Sequence, residues 1–115
     1  MSANPLALVV EDSDDQARLL RHYLERDGFD VVVAASAEEA LALLPRVSPM
    51  LAIVDLLLPG MSGTEFAARL RTDRPGCILA ISSVLDVSRY PTADDVLPKP
   101  FTGAQLHALT AKVPR

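Results

Sequence analysis

Short apolar runs punctuate the chain, and between them apolar residues recur at helical spacing. Leu6–Val10, the Val-rich stretch from Asp30 to Ala35, Leu51 to Val54 closing on Asp55, and Cys77–Ile81 are each too short for a helix. Their continuity fits strands buried on both faces. Asp95 to Pro98 supplies a short fifth strand. Ala17, Leu20 and Leu24, with Leu19 and Tyr23 alongside, predict a first helix that Gly28 ends as its C′ residue. Ser36-Ala37-Glu38-Glu39 has the form of a capping box. It opens a short helix through Leu44 that is expected to stop at Pro45, and Pro49 then leads into the strand that ends at Asp55. Thr64 to about Asp73 predicts a helix with Phe66, Ala67 and Leu70 facing in, broken by Pro75-Gly76. Thr102 is placed to cap a last helix with Leu106, Leu109 and Val113 on one face. Residues 1 to 5 read as a loose lead-in. Strands alternating with helices predict an α/β fold, a doubly wound parallel sheet covered on both faces. Right-handed crossovers then place every strand's C-terminus on one edge, where open sheets of this kind bind ligands.

Composition narrows the class. The 115 residues suit one domain, residues 1–115. Half the residues are hydrophobic and only 4% aromatic, so the core is aliphatic. The net charge of −4 comes without a basic run, which argues against a nucleic-acid or anionic-membrane partner. Cys77 is the single cysteine, and no internal disulfide is possible. Its place at the start of a buried strand fits a core thiol. No apolar stretch approaches a membrane span and no leader pattern is present, so a cytoplasmic location is expected. His22 and His107 each sit on a helix without a second ligand and read as surface residues.

The chemistry gathers at the strand ends. Glu11, Asp12, Asp14 and Asp15 follow the first strand within five residues. Asp14 and Asp15 suit a helix N-terminus, where Ser13 or Asp14 can cap. Glu11 and Asp12 are left at the strand edge, facing Asp55. Pro59 and Gly60 force a turn after Asp55, and Gly63 offers a backbone position without a Cβ. Ser82 ends the fourth strand, and Lys99 follows the fifth. Each has a plainer reading: Asp55 as a turn cap, Ser82 and Ser83 as strand terminators, Lys99 as a solvated lysine beside a turn proline. Together they carry chemistry. Three carboxylates brought close are costly unless they share a cation. Mg²⁺ suits them, since it takes carboxylates, waters and phosphate oxygens. A free Asp titrates near about 3.9, so Asp55 needs no general base to act as a nucleophile. Its attack on phosphorus gives an acyl phosphate. Phosphoryl transfer then needs mainly positioning and charge neutralisation, for which Mg²⁺, the Lys99 ammonium and the Ser82 hydroxyl are suited.

These pieces, in this order, resemble the receiver domain of two-component response regulators. The matching residues are Val-Val-Glu-Asp at 9–12, Asp55 with Pro59 and Gly63, Ser82, and Lys99-Pro100-Phe101. Gly28-Phe29-Asp30-Val31 and Ser36 to Leu41 are also similar to the family's second strand and helix. The resemblance covers about residues 6 to 112. It implies a flavodoxin-like sheet of order 2-1-3-4-5. It implies that Asp55 is the phosphoacceptor, that Asp12 binds Mg²⁺ directly with Glu11 contributing through water, and that the Leu57 carbonyl completes the metal site. It makes Ser82 and Lys99 the groups that contact the phosphoryl. It implies a cis bond before Pro100. It also implies a histidine kinase or histidine phosphotransfer protein as donor, self-phosphorylation from small phosphodonors, autodephosphorylation, and an unknown downstream protein as partner. The face nearest Asp55, with Arg18, Leu19 and His22 on the first helix, is the expected contact for the donor.

The sequence departs from the family in two places. Only ten residues, Val84 to Ala93, separate Ser83 from Asp94, and Pro91 lies among them. A crossover with its helix needs about ten to twelve residues, so the fourth helix is expected to be short or absent and the segment irregular or mobile. Val96 occupies the place where the family has an aromatic ring that moves on phosphorylation. Tyr90, from the shortened segment, either substitutes for that ring or merely covers the core. The altered region motivates an alternative, a phosphorylation-independent adaptor on a receiver scaffold. A haloacid dehalogenase-type phosphatase would want an acid two residues after Asp55, where Leu57 stands.

Overall fold

The computed structural model describes residues 3–114. Five strands form one parallel sheet in the order β2-β1-β3-β4-β5. They are β1 (Leu6–Val10), β2 (Asp30–Ala34), β3 (Leu51–Val54), β4 (Ile78–Ile81) and β5 (Asp95–Val96). The helices are α1 (Asp14–Arg26), α2 (Ala37–Leu43), α3 (Gly63–Asp73) and α4 (Gly103–Thr110). This is the doubly wound, flavodoxin-like architecture expected from the sequence.

The strands alternate their side chains between two cores, as the two-residue period of a strand demands. Leu8, Val10, Ala52, Val54, Leu79 and Ile81 pack with Ala40 of α2 and with Phe66 and Leu70 of α3. Ala7, Val9, Leu51, Ile53 and Ala80 pack on the other face with Leu20 and Leu24 of α1 and Leu106 and Leu109 of α4. The central strands are therefore apolar at every position, and the runs show no alternation. β2 lies at the sheet edge and only its last residue is buried.

The element ends show where local chemistry decided. Ser62 caps α3 by accepting the Glu65 N–H, so the helix starts at Gly63 and not at Thr64. Ser62-Gly63-Thr64-Glu65 was itself a readable cap signal. The Ser36 side chain caps α2 at the Glu39 N–H, and Glu39 reaches back to the Ala35 N–H. Pro45 does not stop the chain's helical path. A 3₁₀ turn, Leu44–Arg46, continues α2 with Pro45 in its first positions, where a missing N–H costs nothing. β4 begins at Ile78, leaving Cys77 buried just outside it, and β5 ends at Val96, before Pro98. Thr102 and Gln105 form a reciprocal capping box on α4. That helix ends at Thr110, and Val113 is buried beyond it. The lead-in is tied down from residue 4: Asn4 donates to the Asp30 carboxylate at 3.3 Å, and the Pro5 carbonyl accepts the Asp30 N–H at 3.0 Å. Residues 1 and 2 lie outside the described residues. Between β4 and β5 the only helical turn among the described residues is a 3₁₀ turn, Val87–Arg89.

Candidate functional site at the carboxyl edge of the sheet

The ladder of main-chain bonds runs one residue past each central strand. Glu11 N–H donates to Ala34, Asp55 N–H to Val10 and Ser82 N–H to Val54, at 2.9–3.0 Å. The register pairs Val10 with Val54 and Val54 with Ile81. Glu11, Asp55 and Ser82 therefore stand side by side on the same edge. Each follows a residue of the α2/α3 core, so all three project toward the opposite side.

The acids converge. Ligand oxygens of Glu11, Asp12 and Asp55 all lie within 4.8 Å of one another. Glu11 and Asp55 are buried and Asp12 is exposed. Lys99 reaches in from beyond β5. Its ammonium pairs with Glu11 Oε1 and lies 3.3 Å from Asp55 Oδ2. The Lys99–Pro100 bond is cis, as the resemblance implied. Lys99 N–H is bonded to the Ser83 carbonyl at 3.0 Å. Burial drives the Glu11 carboxyl above its ordinary range, against the pull of Lys99 and the Ser13 N–H. Burial also weighs on the Lys99 ammonium, but its bond to Glu11 and the charge of Asp55 prevail and hold its pKa above that of a free lysine.

The turn after Asp55 is packed against it. Asp55 Oδ1 accepts the Leu57 N–H at 3.2 Å, and the Leu56 carbonyl accepts the Gly63 N–H at 3.3 Å. A Cβ on Gly63 would stand 2.8 Å from the Asp55 carbonyl carbon and closer still to its oxygen. Glycine is needed there for space. At Gly60 it is needed for conformation, since φ is +74°. Glu38 of α2 accepts the Met61 N–H at 3.0 Å and so ties this turn to the neighbouring helix. No sequence signal linked residues 38 and 61.

Ser82 is 1% exposed, and its Oγ has no hydrogen-bond partner among the described residues. A buried hydroxyl without a partner is unusual and marks a place where a further acceptor belongs. Three carboxylates against one ammonium leave an excess of negative charge suited to a hard divalent cation. His22 is exposed. His107 Nδ1 lies 3.2 Å from both carboxylate oxygens of Asp27, whose Oδ2 also accepts the Thr110 hydroxyl at 2.7 Å. Val96 is 40% exposed on β5, where it pairs with Ile81.

An open parallel α/β sheet with an acidic cluster, a lysine and an unpartnered hydroxyl at its carboxyl edge defines the class: a flavodoxin-like fold with a candidate ligand site at that edge. The family profile for the response regulator receiver domain matches residues 7–111. The chain belongs to the receiver domain family of two-component response regulators. It is 34% identical over 113 residues to a probable transcriptional regulator, ycf27, of Porphyridium aerugineum, covering 94% of this chain and 47% of that one. It is 40% identical over 106 residues to the uncharacterized transcriptional regulatory protein YrkP of Bacillus subtilis, covering 88% and 46%. The chain thus spans about half the length of these relatives. Among solved structures, the response regulator TrrA of Thermotoga maritima, in complex with Mg²⁺ and beryllofluoride, superposes with a TM-score of 0.87. It is 26% identical, with 96% of this chain and 99% of that one covered. A CheY-like receiver domain from Methanospirillum hungatei superposes at 0.85 with 26% identity, covering 96% and 94%. Receiver domains bind Mg²⁺ at an acidic pocket and take phosphoryl groups from histidine kinases, and in this chain Glu11, Asp12 and Asp55 form an acidic cluster at the matching edge. No helix of the described residues is long and apolar enough to cross a membrane.

Proposed function

We propose that residues 1–115 work as one cytoplasmic receiver domain that is phosphorylated on Asp55 by the phosphohistidine of a kinase or phosphotransfer protein. The observation that carries this reading is the convergence of Glu11, Asp12 and Asp55 within 4.8 Å, with Lys99 on two of them. Glu11, Asp12, Asp55 and the Leu57 carbonyl are the groups to hold Mg²⁺. When bound there, Mg²⁺ supplies the positive charge that lets an anionic carboxylate meet an anionic phosphoryl group.

In the transfer an Asp55 carboxylate oxygen bonds to phosphorus as the phosphorus–nitrogen bond of phosphohistidine breaks. The imidazole leaves with that electron pair and is protonated from solvent. Lys99 and the Ser82 hydroxyl donate to the phosphoryl oxygens. Ser82 thereby gains an acceptor that no described protein atom supplies. In autodephosphorylation water attacks phosphorus, and the carboxylate and inorganic phosphate are released. The donor's helical bundle docks on the exposed side of α1 at Arg18, Leu19 and His22. A cleft lined by Leu19, Val84, Lys99 and Phe101 adjoins that face. The signal passes on through phosphorylation-dependent binding of a downstream protein. A phosphorylation-independent adaptor would have no use for the assembled acids and lysine.

The test is intact mass after incubation with acetyl phosphate, with and without Mg²⁺, beside Asp55→Ala. A Mg²⁺-dependent gain of one phosphoryl group, absent in the variant, is the expected result. An equal gain in Asp55→Ala would sink the assignment of Asp55.

A further inference from the structure

Tyr90 lies outside the residues assigned above, in the short connection between β4 and β5. Its hydroxyl holds one residue twice. It donates to the Ser83 carbonyl at 2.7 Å and accepts the Ser83 N–H at 3.1 Å. The same carbonyl accepts the Lys99 N–H at 3.0 Å. Ser83 is wholly buried, so its N–H would be costly to leave unpaired. The 3₁₀ turn Val87–Arg89 delivers the ring. Asp86 caps that turn at the Ser88 N–H, and the Tyr90 N–H closes it on the Val87 carbonyl at 3.0 Å. The ring packs on the core face that contains Val54 and Ile81. Burial raises the phenol above its ordinary value, so it keeps its proton and donates at neutral pH.

We infer that Tyr90 is a positioning residue: its hydroxyl clasps the Ser83 peptide and thereby sets the Ser82 hydroxyl against the phosphoryl group on Asp55. This rests on the phosphoacceptor reading above. Ser82 Oγ makes no bond of its own that fixes its direction. Its place depends on the main chain, held on one side by the Ser82 N–H on Val54 and on the other by the clasped Ser83 peptide. A donor stabilises developing charge only when it is fixed in advance at hydrogen-bonding distance. The connection has no α-helix to brace it, only the 3₁₀ turn, and the tyrosine hydroxyl does that work with two bonds.

Tyr90→Phe keeps the ring and its packing and removes both bonds. The full chain would be titrated first with Mg²⁺ alone, then with beryllofluoride in saturating Mg²⁺ as a phosphoryl analogue. Mg²⁺ affinity should stay within about twofold, because both bonds of the Tyr90 hydroxyl go to Ser83 and neither to a proposed Mg²⁺ ligand, while beryllofluoride affinity falls roughly fivefold. In metal-free protein the Ser83 and Lys99 amides should exchange with solvent roughly tenfold faster. In a Ser82→Ala background the Tyr90→Phe step should shrink below about twofold, since coupled residues are non-additive. Beryllofluoride binding unchanged by Tyr90→Phe would overturn the inference. So would an equal loss of Mg²⁺ affinity, unchanged amide exchange, or full additivity with Ser82→Ala. Failure of the unsubstituted chain to bind beryllofluoride would overturn the phosphoacceptor reading and this inference with it.

Discussion

Gly63 shows how much one missing methyl controls. The N-terminus of α3 lies directly against the Asp55 main chain, and a Cβ there overlaps the Asp55 carbonyl. Relief requires backbone shifts costing about 1–3 kcal/mol. The moved element carries Asp55, the proposed phosphoacceptor, and a displacement near 1 Å in a reacting group costs on the order of a hundredfold. Gly63→Ala should therefore slow acetyl phosphate-driven phosphorylation by roughly tenfold to a hundredfold while the protein stays folded, as read by intact mass and circular dichroism. An unchanged rate would show that the close approach is idle. Cys77 is the contrasting residue. Burial, with Asp94 adding to it, pushes its thiol up to about 12 from an ordinary 9.0. The thiol stays neutral at pH 8, so a disulfide reagent should label it only after urea unfolding. The sign for stability follows. The unfolded thiol ionises above about pH 9 while the folded one does not, so this group lowers stability as pH rises from about 9 toward 12. Urea midpoints of the chain and of Cys77→Ala, compared between pH 8 and 10.5, check it.

At the scale of the elements, α3 is anchored by Phe66, fully buried against β3 and β4. Phe66→Ala should cost about 3–5 kcal/mol through lost burial and a cavity, measured by urea unfolding. A loss below about 1 kcal/mol would mean that the face is loosely packed. The helices were legible because their signals are local. Ser36 with Glu39, Thr102 with Gln105 and Gly28 at φ +91° act within a few residues. The exact ends were less legible. Pro45 could be read as a stop, yet it fits the first positions of a 3₁₀ turn. Asp95 to Pro98 could be read as a strand, yet pairing ends at Val96.

For the molecule as a whole, electrostatic strain at one edge is balanced against the apolar sheet beneath it. Glu11, Asp12 and Asp55 repel, and Lys99 offsets only part of that. A cation that binds the folded state alone stabilises it by mass action. Mg²⁺ at ten times its dissociation constant should add about 1.4 kcal/mol, or roughly 4–6 °C in melting temperature. Asp12→Asn should remove most of that rise in thermal melts followed by circular dichroism. An equal rise in the variant would remove Asp12 from the proposed metal site.

The sequence by itself determined the class of fold and the cast of the candidate site. Runs apolar at every position demand a sheet covered on both faces, and parallel crossovers put Glu11, Asp12, Asp55, Ser82 and Lys99 on one edge. Both consequences follow from patterns a few residues long. Only the tertiary structure decided which groups touch. Lys99 pairs with Glu11 as well as Asp55, Glu38 holds Met61, Asp27 meets His107 and Thr110, and Tyr90 clasps Ser83. Most of these pairs are far apart in sequence, and even Tyr90 and Ser83 meet only through an irregular turn. Their contacts come from how helices seat on the sheet and how loops close over its edge, for which no local pattern exists.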